Sequence, residues 1–238
     1  MIQNYIFDLY GTVVDIRTDE AMPSLWRRMA LFLSLQGAAY TSNELHQAYL
    51  DTITEQIDLC AFQRPNIPKA HIEPDILHVF ERLYKRKGIS VSNKMAEDAA
   101  VLFRALSLRH IRPYPHALKV LNTLRARGKG VYLLSNAQAA FTVPELNMLG
   151  LNEQFDGIVL SSDVGVKKPD KAIFEQLFLK YDLCPETCLM IGNDAAADIQ
   201  GAASAGMESR YIHTGISPAR PASLPNSCRE IYSLQELL

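Results

Sequence analysis

Four short stretches of the chain carry side chains that could do chemistry together. They are "FDLYGT" with Asp8, Tyr10 and Thr12, "LLSN" with Ser135 and Asn136, "KKPD" with Lys167 and Lys168, and "GNDAAAD" with Asn193, Asp194 and Asp198. Between them they offer a potential nucleophile, hydroxyl and amide donors, a fixed cation and oxygen ligands for a hard metal ion. Such a set suits the transfer of an anionic group. Each stretch alone is a weak signal, so its meaning depends on whether the fold brings all four to one place.

The hydrophobic pattern says that it does. Residues 4 to 8, "GVYLLSN", "FDGIVLSSD", "CLMIGND" and "SRYIHT" read as short buried strands. Helical text such as "HALKVLNTLRARG", "PDKAIFEQLFLKYD" and "DIQGAASAG" separates them. Strands alternating with helices imply an α/β fold with a doubly wound parallel sheet, and such sheets bind ligands beyond the carboxyl ends of their strands. Those ends carry Asp8 with Tyr10 and Thr12, then Ser135 with Asn136, then Ser161, Ser162 and Asp163, then Asn193 with Asp194.

From about Thr18 to Leu108 the text is helical throughout, with apolar residues three and four apart in four successive segments. Thr41 or Ser42 and Ser92 are expected N-caps, and Gly37 and Gly88 expected helix stops. The simplest architecture is a core of residues 1–17 and 109–238, interrupted after its first strand by an all-helical insert of residues 18–108.

Composition narrows the class further. The 238 residues are 48% hydrophobic and carry 24 Lys and Arg against 26 Asp and Glu, a formal net charge of −2. Charges of both signs are interspersed, which leaves no electrostatic footprint for nucleic acid or an anionic membrane. No apolar run approaches the ~20 residues of a membrane span, and "MIQNYIFDLY" has no basic leader, so a cytoplasmic protein is expected. Cys60, Cys184, Cys188 and Cys228 are too scattered for a disulfide framework and read as reduced thiols.

With the four stretches in this order and at these strand ends, the chain resembles the haloacid dehalogenase superfamily of hydrolases, in its form with a helical (C1) cap on a Rossmann-like core. "DLYGT" corresponds to the family's first motif, "LLSN" to the second, "KKPD" to the third and "GNDAAADIQGAASAGM" to the fourth. The resemblance spans residues 8 to 207. It implies that Asp8 is the nucleophile of a covalent aspartyl intermediate and that Lys168, in the "KP" pair, is the cation beside it. Lys167 is the neighbouring alternative.

By the same resemblance, Ser135 and Asn136 hold the transferring group, and Thr12 orders the loop near the nucleophile. A Mg²⁺ ion is held by Asp8, the backbone carbonyl of Tyr10, and Asn193 or Asp194. Asn193 stands where many relatives place a carboxylate, so Asp194 is the alternative ligand. Asp198 is either an outer anchor of that site or a helix N-terminal acid, and Asp15 is structural.

Tyr10 departs from the family's phosphatases, in which a second Asp at this position protonates the leaving group. A phenol with an ordinary pKa of ~10 is a weak substitute for a carboxylic acid. The "DxYGT" form is that of relatives that dehalogenate 2-haloacids, because a halide leaves without a proton. Against that reading, Phe174 stands six residues after the motif lysine where the dehalogenases carry Tyr, and "GNDAAAD" is of the metal-binding type.

The favoured expectation is a Mg²⁺-dependent phosphatase acting on a small phosphorylated metabolite, slow with poor leaving groups unless an insert residue supplies the acid. His71, Glu73 and Asp75 in "KAHIEPD" are the nearest candidates for that acid. A metal-independent 2-haloacid dehalogenase, and a binding protein of the same fold with little activity, are the alternatives.

Overall fold

The computed structural model describes residues 1–218 and 223–238. Strand β1 (Asn4–Phe7) lies mid-sheet, pairing in parallel with β4 (Gly130–Ser135) on one side and β6 (Cys188–Gly192) on the other. With β5 (Gly157–Leu160), β7 (Glu208–Ile212) and β8 (Cys228–Ile231) the sheet runs β5-β4-β1-β6-β7-β8, parallel throughout. The chain leaves β1 to build one half of the sheet and returns beside β1 to build the other. The crevice of the fold is therefore at the end of β1, where Asp8 stands.

Both faces of the central strands are covered, which is why they read as continuous apolar runs. Phe7 faces a cluster with Val120, Leu121 and Leu124 of helix α5 (Ala117–Ala126) and Leu146 of α6 (Ala139–Met148). Its neighbour Ile6 faces the opposite cluster with Ile173, Phe174 and Leu177 of α8 (Lys171–Tyr181). Phe174, fully buried there, is a core residue.

Four helices lie between β2 (Val14–Thr18) and β3 (Leu108–Pro113): α1 (Pro23–Leu35), α2 (Ser42–Gln63), α3 (Ile76–Arg86) and α4 (Asn93–Ser107). They bury their own aromatic core, in which Trp26, Tyr49 and Phe80 surround Phe103 with ring centroids 5.2 to 5.7 Å from it. Thr41 closes a capping box with Glu44 and Ser92 caps α4, while Gly37 and Gly88 follow their helices at positive φ.

The helical insert is joined to the sheet by an antiparallel ribbon of β2 and β3, with Ile16 opposite Ile111. The sequence pattern does not foresee this ribbon, because "VDIRT" and "LRHIRP" carry charges on their exposed face. Asp15 spans it, 3.0 Å from His110 Nε2 and accepting from Arg112 Nε at 2.9 Å.

Three further readings change. Strand β5 stops at Leu160, and "SSD" opens the short helix α7 (Ser161–Val164) instead. The expected helix in "DIQGAASAG" is a π-helical turn, Ala195–Gln200, followed by α9 (Gly201–Ser204). Strand β8 also joins the sheet unannounced, since "CREI" is half charged.

Candidate active site

The site is built outward from the turn that follows β1. The Leu9 carbonyl accepts the amides of Thr12, Val13 and Val14 at 2.8 to 3.2 Å, so the chain reverses immediately after Asp8. Gly11 makes that turn at φ +89, and a Cβ there would collide with the Asn193 side chain. This close approach presses the loop after Asp8 against the end of β6. Thr12 Oγ1 lies 3.4 Å from Asp8 Oδ2 and 3.3 Å from Asn193 Oδ1, and Thr214 Oγ1 donates to the Gly11 carbonyl at 2.7 Å.

Lys168 is the electrostatic centre. Its Nζ donates to Asp8 Oδ1 at 2.8 Å, to Asp198 Oδ1 at 2.6 Å and to the Leu134 carbonyl at 2.7 Å. The side chain is almost fully buried. Burial alone would favour the neutral amine, but Asp198 and Asp8 outweigh it and hold Lys168 above the ordinary lysine range as a cation. Burial pushes the Asp198 carboxyl up in turn, with Lys168 opposing and the Asp8 charge adding to the rise.

Ser135 Oγ donates to the same Asp8 oxygen at 3.0 Å. Two donors on Oδ1 fix the plane of the carboxylate. Asn136 also lines the cavity, and its side chain has a partner of its own. Its amide brackets the Lys168 backbone, accepting from Lys168 N at 2.7 Å and donating to Lys168 O at 2.9 Å. The side chain thereby aims the cation. Lys167 is placed differently: its backbone amide donates to the His71 carbonyl, and it does not line the cavity.

Asp8, Tyr10, Ser135, Asn136, Lys168, Asn193, Asp194 and Asp198 all line one cavity of about 210 Å³. Ala197, Ile216 and Pro218 complete its wall. The two last follow β7 and were not singled out from the sequence, where nothing distinguishes them from an ordinary loop. Gly192 is required beneath the site, since a Cβ there would fall within the Asp198 carboxyl group.

The donor set suits a hard cation. Asp8, Asn193 and Asp194 offer side-chain oxygens, and among the described residues no backbone amide donates to the Tyr10 carbonyl. Asp194 spends Oδ1 on capping the π-helical turn, accepting from Ala196 N at 2.8 Å and Ala197 N at 3.0 Å. Asp198, whose place the sequence left open, is an anchor: besides Lys168 it accepts the Asp194 amide at 3.0 Å.

Tyr10 turns its hydroxyl away from this cavity. The phenol donates to Glu145 Oε2 and lies 2.9 Å from Thr142 Oγ1, both on α6 and neither in the cavity wall. Glu145 is in turn bound by Arg104 of α4, with Nε 2.5 Å from Oε1, and that guanidinium lies 5.5 Å from the Tyr10 ring centroid. Burial, and then the Glu145 charge, raise the phenol far above its ordinary range although Arg104 opposes them. Sequence reading missed these partners. The available signal was an acid inside the apolar text "AAFTVPELNML", three residues after a threonine on the same helix face.

The proposed acids of the insert are engaged elsewhere. His71 Nδ1 is 3.1 Å from Asp170 Oδ2, Glu73 accepts from Ser161 Oγ and Gln138 Nε2 at 2.7 Å each, and Asp75 caps α3. None lines the cavity. Ser161 and Ser162 likewise serve the backbone, accepting from the amides of Ala137 and Ala139.

A family model, haloacid dehalogenase-like hydrolase, matches residues 2–206, and the chain belongs to that family. It is 29% identical over 163 residues to a phosphoserine phosphatase of Thermus thermophilus, covering 67% of this chain and 64% of that one. It is 25% identical to a glyceraldehyde 3-phosphate phosphatase of Pyrococcus abyssi, covering 100% of this chain and 93% of that one.

For two further glyceraldehyde 3-phosphate phosphatases, the matched region spans 58% and 48% of their length, so the chain spans about half to two thirds of several curated relatives. In structure it is similar to a 2-haloacid dehalogenase from Pseudomonas syringae (TM-score 0.67, 20% identity, 100% and 96% coverage). It is also similar to a phosphatase of this family from Thermococcus onnurineus (TM-score 0.61, 19% identity, 99% and 96% coverage). At these identities the likeness is one of fold. Among the described residues no helix is long and apolar enough to cross a membrane.

Proposed function

We propose that the protein is a Mg²⁺-dependent phosphatase that hydrolyses a small phosphorylated metabolite through a phosphoryl intermediate on Asp8, with residues 18–108 as its cap. The observation that carries this reading is Lys168 Nζ, fixed between Asp8 and Asp198 at the floor of an oxygen-lined cavity. Phosphoryl transfer needs positioning and charge neutralisation more than covalent machinery, and a buried cation beside the attacking carboxylate supplies both.

Asp8 attacks phosphorus while Lys168 and Ser135 hold its carboxylate plane, and Asn136 keeps Lys168 aimed at it. Asp198 holds Lys168 from behind. Asp8, the Tyr10 carbonyl and Asn193 or Asp194 would hold the cation, which when bound neutralises charge on the phosphoryl oxygens. The phosphatase names of the matched relatives support the substrate class.

The test is hydrolysis of p-nitrophenyl phosphate with Mg²⁺, with EDTA, and by Asp8→Asn. Hydrolysis that is abolished by EDTA and by the substitution is expected; activity indifferent to both contradicts the reading. Tyr10 favours a second reading, dehalogenation, because a halide needs no proton. Chloride release from 2-chloropropionate in EDTA would establish that reading, and its absence would dismiss it.

A further inference from the structure

Among the described residues, the cavity offers a nucleophile but no side chain placed to give a proton to a departing alkoxide. The Tyr10 hydroxyl is bonded to Glu145 and Thr142, neither of which lines the cavity. Glu145 is itself held on both oxygens, with Arg104 on Oε1 and Tyr10 on Oε2. The phenol thus joins α6 directly and, through Glu145, Arg104 of α4.

The carboxyl groups that do face the cavity have other partners. Asp8 and Asp198 share Lys168, Asp198 also receives the Asp194 amide, and Asp194 caps the π-helical turn through Oδ1, which leaves Oδ2 for the cation. Among the described residues the cavity wall contains no histidine, and its remaining faces at Ala197, Ile216 and Pro218 are apolar. His71, Glu73 and Asp75 are bonded to Asp170, to Ser161 and Gln138, and to the α3 amides.

We propose, resting on the phosphatase reading above, that this site serves substrates whose leaving group departs as a stabilised anion, acyl phosphates foremost, rather than alkyl phosphate monoesters. A carboxylate leaves as the conjugate base of an acid of pKa about 4, whereas an alkoxide without a donor is nearly as basic as hydroxide.

In the first step an Asp8 oxygen forms a bond to phosphorus. The bond from phosphorus to the acyl oxygen breaks, and the carboxylate departs with the electron pair and takes no proton. In the second step water adds to phosphorus and the Asp8 oxygen leaves as carboxylate. Both protons of that water end on the inorganic phosphate, as dihydrogen phosphate or in exchange with solvent. Neither step calls for a protein acid at the leaving group.

The experiment is a leaving-group panel on the wild-type protein with Mg²⁺: acetyl phosphate, p-nitrophenyl phosphate and glycerol 1-phosphate, each repeated with Asp8→Asn. The expected result is Asp8-dependent hydrolysis with kcat/KM for acetyl and p-nitrophenyl phosphate above that for glycerol phosphate by about 10²-fold or more, the worth of one general acid. Glycerol phosphate turned over as fast as acetyl phosphate, still dependent on Asp8, would overturn this inference and leave the phosphatase reading standing. Absence of Asp8-dependent hydrolysis of all three would overturn both. Tyr10→Asp, where it folds, should raise the ratio of glycerol phosphate to acetyl phosphate turnover; an unchanged ratio would count against the inference.

Discussion

Two buried charged clusters flank the loop at residues 8–12, and both pair a cation with carboxylates. In one, Lys168 lies between Asp8 and Asp198 and opens onto the cavity. In the other, Arg104 meets Glu145 and the Tyr10 hydroxyl, joining the helical insert to α6 without reaching the cavity. The first borders the cavity. The second uses every charge internally. One loop thus carries a residue into each cluster, Asp8 into the open one and Tyr10 into the holding one.

The substitutions that separate the two clusters are ordered by expected effect. Asp8→Asn should lower turnover by about 10⁵-fold, as loss of a nucleophile does, while the fold is kept; steady-state kinetics and circular dichroism on the same sample check it. Lys168→Met should cost roughly 10³-fold in kcat, the scale of a lost electrostatic donor. Residual turnover within tenfold of wild type would remove Lys168 from the reacting cluster.

Glu145→Ala belongs to the other cluster and should act on stability. Removing one partner of a buried ion pair costs about 3 kcal/mol, read by urea unfolding, and an Arg104→Ala change should not add to it fully. Fully additive losses would mean that the two side chains do not form one unit. Tyr10→Phe should cost about 1 kcal/mol and alter acetyl phosphate turnover by less than about tenfold, because the hydroxyl bonds to α6 and not to substrate. The smallest effect is expected of His71→Ala, whose partner is Asp170. Its turnover should stay within about tenfold of wild type, which would dismiss it as the acid.

Much of the cavity lining was legible in the sequence, because strand ends in a doubly wound sheet converge: Asp8 follows β1, Ser135 ends β4 and Asn193 follows β6, whereas Lys168 lies between α7 and α8 and was read from the "KP" pair. The holding cluster was not. Arg104, Glu145 and Tyr10 lie on a helix of the insert, a helix of the core and a loop, and no local period relates residues on three separate elements. The β2–β3 ribbon escaped for a related reason: its charged outer face, tied by Asp15 to His110 and Arg112, hides the alternation that marks a strand. Asn136 was legible in place, while the bonds of its side chain to the Lys168 backbone were not, because they join two loops 32 residues apart.

The central claim is that the open cluster reacts covalently. It is tested most directly by mixing the protein with Mg²⁺ and acetyl phosphate, quenching in acid during turnover, and mapping the phosphoryl group by peptide mass spectrometry. The group is predicted on Asp8 and absent after Asp8→Asn. Turnover with the phosphoryl group on another residue, or an adduct that survives the substitution, would contradict the account.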